Sequence, residues 1–286
     1  MVGMKRKTTI FDIINIAFLA ILCITTIYPF LYLILASFTP AKDMIHVFLL
    51  PRPSRFDLSS YKFIFNDNSI ANAYSTTIFI TVVGTIINLI LSTLGAYVLA
   101  QRDLPGKGIM VGMLVLTMIF SGGLIPTFIV VKNIGLYNTV WSLVIPNAIN
   151  TFWMIIMRNF FKEIPSCLPE SARIDGLNEF GILLKIIIPL SMPIIATLSL
   201  FYGVMHWNEY TNAIIYINNT RIVTLQVLIR SMYQSATSTI AAESLPPPIE
   251  NVRAATIMVA TIPILLVYPF LQKYFVTGIM VGAVKG

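Results

Sequence analysis

Charged residues are scarce in this chain of 286 residues: Asp, Glu, Lys and Arg together make up 11% of it, whereas an ordinary soluble domain contains about 25%. Hydrophobic residues make up 57%, and the mean hydropathy is +0.83. With so few charges, the chain cannot cover a globular surface of its size with groups that water solvates. The composition therefore excludes a soluble enzyme and a disordered protein, and it indicates a polytopic membrane protein.

The sequence also lacks the motifs of common enzyme sites. It contains two cysteines, Cys23 and Cys167, and two histidines, His46 and His206, so it predicts neither a disulfide framework nor an H-E-x-x-H zinc site. It has no G-x-x-x-x-G-K-[ST] phosphate loop and no G-x-S-x-G nucleophile motif. We therefore expect no catalytic site, no metal site and no cofactor in this chain.

Ionisable residues inside apolar stretches mark proton-coupled and sodium-coupled carriers, and here they are nearly absent. Asp12 lies at the start of the first apolar stretch, and His206 and Glu209 lie at the end of the fifth. The interiors of the stretches contain none. This pattern disfavours a proton relay within the chain and indicates that another protein supplies the energy.

Six apolar stretches are long enough to cross about 30 Å of hydrocarbon as helices. They are residues 10–38, 71–100, 110–131, 140–161, 186–206 and 254–275. If the N-terminus is cytoplasmic, Lys and Arg occur at roughly twice the density on the inner segments as on the outer ones. Both termini are therefore predicted in the cytoplasm. The excess of Lys and Arg that gives the net charge of +7 is then explained by the orientation of the chain in the membrane. It does not indicate a nucleic-acid partner.

This topology predicts a single transmembrane domain over residues 1–286, with three long loops between the spans and a tail after the last span. They are the external loops 39–70 and 207–253, the cytoplasmic loop 158–185 and the cytoplasmic tail 276–286. A short helix is predicted at residues 58–65. Prolines within or beside the spans predict kinks at Pro126, Pro146, Pro189, Pro193, Pro263 and Pro269. Two glycine pairs fit the small-residue pattern of helix packing, namely Gly108 with Gly112 and Gly278 with Gly282.

The cytoplasmic loop is the most informative segment, and part of it reads PSCLPESARIDGLNEFG. Ser166 is predicted to cap a short helix that ends at Asp175. Gly176 is free to adopt the left-handed conformation that commonly follows a helix end. Asn178 is predicted to cap a second helix that leads into the membrane. A short helix, a glycine turn and a second helix together form a rigid plug that suits a cleft in another protein.

One face of the short helix combines small side chains with larger ones. Helical spacing places Leu168, Ser171, Ala172 and Asp175 together, and two small residues there would let a partner approach the backbone closely. Glu170 is the candidate for a charged contact with that partner. Its alternative role is a surface ion pair with Arg173 three residues later.

The loop resembles the EAA motif of bacterial ABC importer permeases, E-A-A-x3-G-x9-I-x-L-P. Glu170-Ser171-Ala172, Gly176 and Ile186-x-Ile188-Pro189 follow the spacing of that motif, with Ser171 and Ile188 as mild departures. The Trp207–Tyr210 segment and the tail from Tyr274 to Gly286 resemble the carbohydrate-importing branch of the family. That branch includes relatives of the maltose permease subunits, and the tail is similar to oligosaccharide permeases such as the second membrane subunit of the alginate importer.

This resemblance implies an all-α fold of the type I ABC importer permease, with six transmembrane helices and a cytoplasmic coupling helix. The implied chain is a non-catalytic subunit in the bacterial cytoplasmic membrane that carries a carbohydrate, namely an oligosaccharide. Its implied partners are a second homologous permease, two ATPase subunits that bind ATP and Mg, and an extracytoplasmic solute-binding protein. The implied ATPase-coupling residues are Glu170, Ser171, Ala172, Asp175 and Gly176.

Polar residues within and beside the spans are candidates for a translocation path. They are Asn88, Asn147, Asn150, Trp207, Asn208 and Glu209. The asparagines are favoured as hydrogen-bonding groups between helices, and Trp207 and Tyr210 as aromatic anchors at the membrane interface. His206 is expected to be a satisfied polar residue.

Two other functions stay open from the sequence. An ABC permease for a non-sugar solute would carry the same loop, because the EAA motif is shared across importers. An ATP-independent secondary carrier would need buried ionisable residues, which the apolar stretches lack.

Overall fold

The computed structural model describes residues 10–40, 43, 55–66, 68–239, 251–263, 265 and 266. These residues form helices and connecting turns without a β-strand, which confirms the all-α class. The named helices in chain order are α1 (Ile10–Phe38), α2 (Ser59–Asn66), α3 (Asn68–Ala100), α4 (Lys107–Ile119), α5 (Leu124–Asn133), α6 (Thr151–Glu163), α7 (Cys167–Ile174), α8 (Glu179–Leu190), α9 (Met192–Trp207), α10 (Thr211–Tyr216) and α11 (Leu225–Thr239). Residues 251–263 are also helical.

Among the described residues, two helices are long and apolar enough to cross a membrane unbroken, α1 and α3. Three further stretches qualify as bent pairs: α4 with α5, the 3₁₀ segment Val140–Asn147 with α6, and α8 with α9. Counting each bent pair as one span gives up to five. Most of the sixth predicted stretch and the tail 276–286 lie outside the described residues, so the six-span topology stays a prediction.

Proline lies beside each of the three bends, and glycine lies beside the first. The chain turns by 114° between α4 and α5, where Gly123 has φ +81° and Pro126 follows in the first turn of α5. A bend of 49° lies beside Pro146, and one of 84° separates α8 from α9 between Pro189 and Pro193. Because proline lacks the backbone N–H that a continuing helix needs, these positions confirm the predicted kinks. Pro269 lies outside the described residues.

The chain forms two compact units, and the first contains Met1–Asp67 and Ser231–Pro263. Helix α2 confirms the short helix predicted at residues 58–65, and its start is capped because Asp57 Oδ1 accepts a hydrogen bond of 2.8 Å from the Ser59 N–H. The Tyr61 hydroxyl donates to Ser37 Oγ over 2.9 Å, and the Tyr61 ring lies 5.2 Å from the ring of Phe38. These contacts hold α2 against the end of α1.

The second unit contains Asn68–Arg230 and Ile264–Gly286, and α3 is its central helix. Side chains of α3, α6, α7, α8 and α9 share one apolar core, which includes the fully buried Met157, Ile182 and Leu198. Two glycines let neighbouring side chains reach the α3 backbone. A Cβ atom would lie 2.5 Å from the His206 ring at Gly84 and 2.7 Å from Met154 Sδ at Gly95.

The glycine pairs suggested by the sequence do not make such contacts where the structure describes them. A Cβ atom at Gly108 or Gly112 would meet nothing within 4 Å. Gly278 and Gly282 lie outside the described residues. Close helix packing in the second unit therefore uses the glycines of α3.

Candidate functional site

The loop predicted to be cytoplasmic, residues 158–185, folds around two helices joined by a glycine turn. Helix α7 ends within one residue of the predicted Asp175, and Gly176 has φ +85°. The Gly176 and Leu177 N–H groups donate to the Arg173 and Ala172 carbonyls, over 3.1 and 3.0 Å. These bonds satisfy carbonyls that a helix end would otherwise leave unpaired, so the turn is well defined.

One predicted cap is confirmed and the other is wrong. Asn178 Oδ1 accepts a hydrogen bond of 2.7 Å from the Gly181 N–H, which caps α8 as predicted. Ser166 has helical backbone angles, φ −63° and ψ −23°, and its side chain makes no capping bond. A side-chain cap requires an extended residue before the first turn, and Ser166 is already part of that turn.

The predicted coupling residues divide between an outer surface and an inner one. Leu168, Glu170, Ser171 and Asp175 are exposed, whereas Ala172 is only 4% exposed and packs into the core of the second unit. The expected face of four residues is thus split, because Ala172 lets α7 approach its own chain closely. A partner would instead meet Glu170 and its exposed neighbours.

A cluster of polar side chains fixes α7 to the end of α3. Arg173 Nε donates to Glu179 Oε1 over 2.6 Å, and Arg173 Nη2 donates to Glu179 Oε2 over 3.2 Å. The Tyr97 hydroxyl donates to Glu179 Oε2 over 2.6 Å, and Gln101 Oε1 lies 3.4 Å from Arg173 Nη2. Glu170 acts on Arg173 only through its charge, so the alternative surface pair is replaced by the pair with Glu179.

The pKa values of Glu179 and Arg173 are shifted from their usual values. The hydrogen bonds from Arg173 and Tyr97 hold the pKa of the Glu179 carboxyl below its usual value, because they favour the ionised form. The same pair raises the pKa of Arg173. Both side chains therefore stay charged, and a charge-assisted bidentate pair of this kind is directional as well as strong.

The polar residues in the middle of α3 bind other helices of the second unit. Asn88 is fully buried: its Oδ1 lies 2.6 Å from His206 Nε2 on α9, and its Nδ2 donates to the Asn147 carbonyl over 2.6 Å. His206 is also fully buried, and its Nδ1 has no hydrogen-bond partner among the residues that the structure describes. These bonds agree with the interpretation of Asn88 as a group that joins helices.

Tyr202 on α9 organises the adjacent layer. Its hydroxyl oxygen shares a hydrogen bond of 2.7 Å with Ser92 Oγ and accepts the Asn150 N–H over 3.3 Å. Asn150 Oδ1 in turn accepts the Trp153 N–H over 3.1 Å and caps α6. The Asn150 side chain therefore starts a helix in this conformation.

Three predicted path residues lie at the end of α9. The anchor interpretation is wrong for Trp207, because its ring is only 7% exposed and is buried by the chain itself. Glu209 is also buried, and both of its carboxylate oxygens accept hydrogen bonds of 3.0 Å from Asn212. Asn208 is exposed and bonds to the Val204 carbonyl over 2.8 Å and to Gln226 over 3.3 Å.

Four residues that build these contacts were not predicted from the sequence: Gly84, Tyr97, Glu179 and Tyr202. One signal was available for α3, since Gly84, Asn88 and Ser92 recur at intervals of four and so share a face of the helix. Small and polar residues on one face of an apolar helix indicate close contact with other helices. Nothing local signals that Tyr97 meets Glu179, because 82 positions separate them.

Known proteins resemble this chain along nearly its whole length. It is 44% identical to the polygalacturonan/rhamnogalacturonan transport system permease protein YtcP of Bacillus subtilis, over 98% of this chain and 100% of that protein. It is 27% identical to the arabinooligosaccharides transport system permease protein AraQ of Halalkalibacterium halodurans, over 99% and 100%.

A solved structure and a family profile agree with these relatives. The structure is the crystal structure of a bacterial ABC transporter involved in the import of the acidic polysaccharide alginate, with a TM-score of 0.87 and 30% identity over 96% of this chain and 100% of that one. The profile described as "Binding-protein-dependent transport system inner membrane component" matches residues 94–281, which include α7, the glycine turn and the end of α3. The chain therefore belongs to the family of inner membrane components of binding-protein-dependent transport systems.

Proposed function

We propose that this chain is the permease subunit of an ATP-driven importer and that α7 is the element that docks on its ATPase. The observation that supports this role is the geometry of the loop. Helix α7 presents Glu170, Ser171 and Asp175 to the outside while Ala172 fixes it to the core. A short exposed helix on a rigid seat can receive a push from another protein and pass it on without unfolding.

The proposed cargo is an oligosaccharide. The relatives named above belong to transport systems for polygalacturonan/rhamnogalacturonan and arabinooligosaccharides, and the solved structure is of a transporter involved in the import of alginate. All are carbohydrates, and two of the three systems take acidic polysaccharides. Full-length similarity to such permeases favours a sugar over another solute.

The proposed assembly follows from what this chain does not supply. The sequence has no phosphate-binding loop, so ATP and Mg would be bound by two ATPase subunits and this chain would have no catalytic role. A second permease would complete the pore, and an extracytoplasmic binding protein would deliver the sugar. The distribution of Lys and Arg supports cytoplasmic termini and a cytoplasmic position for α7.

The polar side chains considered for a translocation path have distinct proposed roles. Asn88, Asn150 and Glu209 use their polar atoms within the chain, so we propose that they stabilise helix contacts. Asn208 is exposed at the end of α9 and is the member of the set best placed to meet a solute. Trp207 would reach one only after its surroundings open.

The proposal is tested by changing the exposed docking surface. We expect Glu170→Ala to weaken recovery of the ATPase with the tagged chain and to abolish solute uptake by cells, with normal insertion into the membrane. Gly176→Pro should do the same, because proline cannot adopt φ +85°. The matched control is Glu163→Ala, which removes an exposed carboxylate near the end of α6 in the same loop.

The companions of the wild-type chain provide the decisive comparison. Purification in mild detergent followed by mass spectrometry should recover an ATPase, a second permease and a binding protein. Recovery of the chain alone, under conditions that preserve a known ABC complex, would contradict the importer assignment. Normal ATPase recovery and normal substrate-stimulated ATP hydrolysis in both loop variants would contradict the role of α7.

A further inference from the structure

The link between α7 and the rest of the chain depends on one carboxylate. Glu179, the first residue of α8, accepts hydrogen bonds from Arg173 on α7 and from Tyr97 on α3. Its two oxygens thus join three helices. The Tyr97 side chain, only 8% exposed, lies in the same apolar core as Ala172, so the polar bonds are adjacent to the packed contact.

These contacts restrain α7 in complementary ways. The packing of Ala172 fixes how closely α7 approaches the core, but apolar packing alone is non-directional. The bidentate pair of Arg173 with Glu179 fixes the rotation of α7, since a guanidinium fork meets a carboxylate in one plane. The bond from Tyr97 then connects that pair to α3.

Helix α3 is in turn bonded to the helices it packs against. Asn88 bonds to His206 on α9, and Ser92 bonds to Tyr202. A displacement of α3 at Tyr97 would therefore be carried to α9. Without the bond at Tyr97, α7 would be held to the end of α3 by its apolar contacts and by the longer bond from Arg173 to Gln101, which is 3.4 Å.

We propose that Glu179 is a positioning residue that makes α7 and α3 move as one body, so that displacement of the docking helix reaches the membrane-spanning helices. The inference rests on the proposed function, in which an ATPase displaces α7. It assigns a role to residues outside the exposed docking surface. Glu179 itself need not contact the ATPase, because its carboxylate is occupied by Arg173 and Tyr97.

The rigid-body property can be measured without knowing the solute. Two spin labels report the distance between α7 and α3. One is attached to the native Cys167 at the start of α7, and the other to Ile90→Cys, an exposed position of α3. Cys23→Ser removes the other native thiol. The labelled chain is assembled with its partners in lipid nanodiscs, and the distance distribution is recorded without nucleotide and with ATP and vanadate.

We expect one narrow distribution in the otherwise unaltered chain, unchanged by ATP and vanadate. Glu179→Gln and Tyr97→Phe should broaden it or make it depend on nucleotide, and binding-protein-stimulated ATP hydrolysis should fall by on the order of tenfold through loss of charge-assisted bonds. Glu163→Gln, a carboxylate change at an exposed site of the same loop, should leave both measurements unaltered. The reciprocal exchange Arg173→Glu with Glu179→Arg should restore the narrow distribution in part.

Three outcomes would overturn the inference. In the first, the distance between the labels already shifts with ATP in the unaltered chain. In the second, the distance distribution of Glu179→Gln is as narrow and as independent of nucleotide as that of the unaltered chain. In the third, Glu163→Gln changes the distribution and the ATP hydrolysis as much as Glu179→Gln does. Failure of the proposed function is distinguishable, because the unaltered chain would then not assemble with an ATPase at all. A purely structural role would lower the yield of the complex without separating the motion of the two labels.

Discussion

Replacing Gly84 with alanine should destabilise the second unit, because the new methyl group has no room. A Cβ atom there would lie 2.5 Å from Nε2, 2.7 Å from Cε1 and 2.8 Å from Cδ2 of His206. The ring is fully buried and bonded to Asn88 over 2.6 Å, so it can move aside only by giving up that bond. Overpacking costs about 1–3 kcal/mol and a lost buried hydrogen bond about 1–3 kcal/mol. Alanine regains about 1 kcal/mol of helix propensity, which leaves a net loss of about 1–5 kcal/mol.

The assay measures the thermal midpoint of the purified chain in detergent. The signal is the loss of the monodisperse peak in size-exclusion chromatography as the temperature rises. At about 2–4 °C for each kcal/mol, Gly84→Ala should lower the midpoint by on the order of 10 °C. The control is Gly112→Ala, which places a methyl group where nothing lies within 4 Å and should leave the midpoint unchanged or raise it. In a chain that already carries His206→Ala, Gly84→Ala should cost little. A Gly84→Ala chain as stable as Gly112→Ala would refute the reasoning.

Four further predictions concern the other contacts. Tyr202→Phe removes the hydrogen bond to Ser92 and should lower the free energy of unfolding by about 1–2 kcal/mol. Asn150→Ala removes the cap of α6 and should lower it by about 1 kcal/mol. The same thermal assay checks both. Gly176→Val should speed amide hydrogen exchange in α7 more than Gly176→Asn does, because asparagine tolerates positive φ better. Since the pKa of Glu179 is lowered from its usual 4.5, its stabilisation is complete above that pH and is lost as the pH falls through the lower folded value. The protection of the amides of residues 173–182, which is their exchange rate corrected for the intrinsic rate at each pH, should therefore fall on acidification below pH 4.5 in the wild type but not in Glu179→Gln.

Features that depend on local sequence were predicted well. The all-α class follows from composition and the length of the apolar stretches. Gly176 and Asn178 were assigned correctly because a left-handed turn and a side-chain cap are decided by a few neighbouring residues. The kinks at Pro126, Pro146, Pro189 and Pro193 follow from the missing N–H of a single residue.

Features that depend on which partner a residue meets in the folded chain were predicted less well. The Arg173 side chain faces two acidic partners, Glu170 and Glu179, and only the fold brings Glu179 to it across the turn. Serine is a residue type that commonly caps helices, yet the backbone of Ser166 already has helical angles. It therefore lacks the extended conformation that a side-chain cap requires. Trp207 has the composition of an interfacial anchor, but its burial depends on the packing around α9, which no pattern in its own segment encodes.

Helix α3 gives the loop a direct physical route to the opposite end of the second unit. It runs without a break from Asn68 to Ala100, and at about 1.5 Å per residue the 20 positions from Thr77 to Tyr97 span about 30 Å. Near its start, Thr77 Oγ1 accepts a hydrogen bond of 2.9 Å from the backbone N–H of Leu225, the first residue of α11 in the segment predicted to be external. An unbroken helix transmits a push along its axis with little bending, whereas a bent pair such as α4 and α5 would absorb it at the break. The glycines of α3 that give room to His206 and Met154 keep this helix packed against its neighbours along that length. Among the described helices of this unit, α3 is therefore the one best suited to connect α7, the proposed docking helix, with the predicted outer loop.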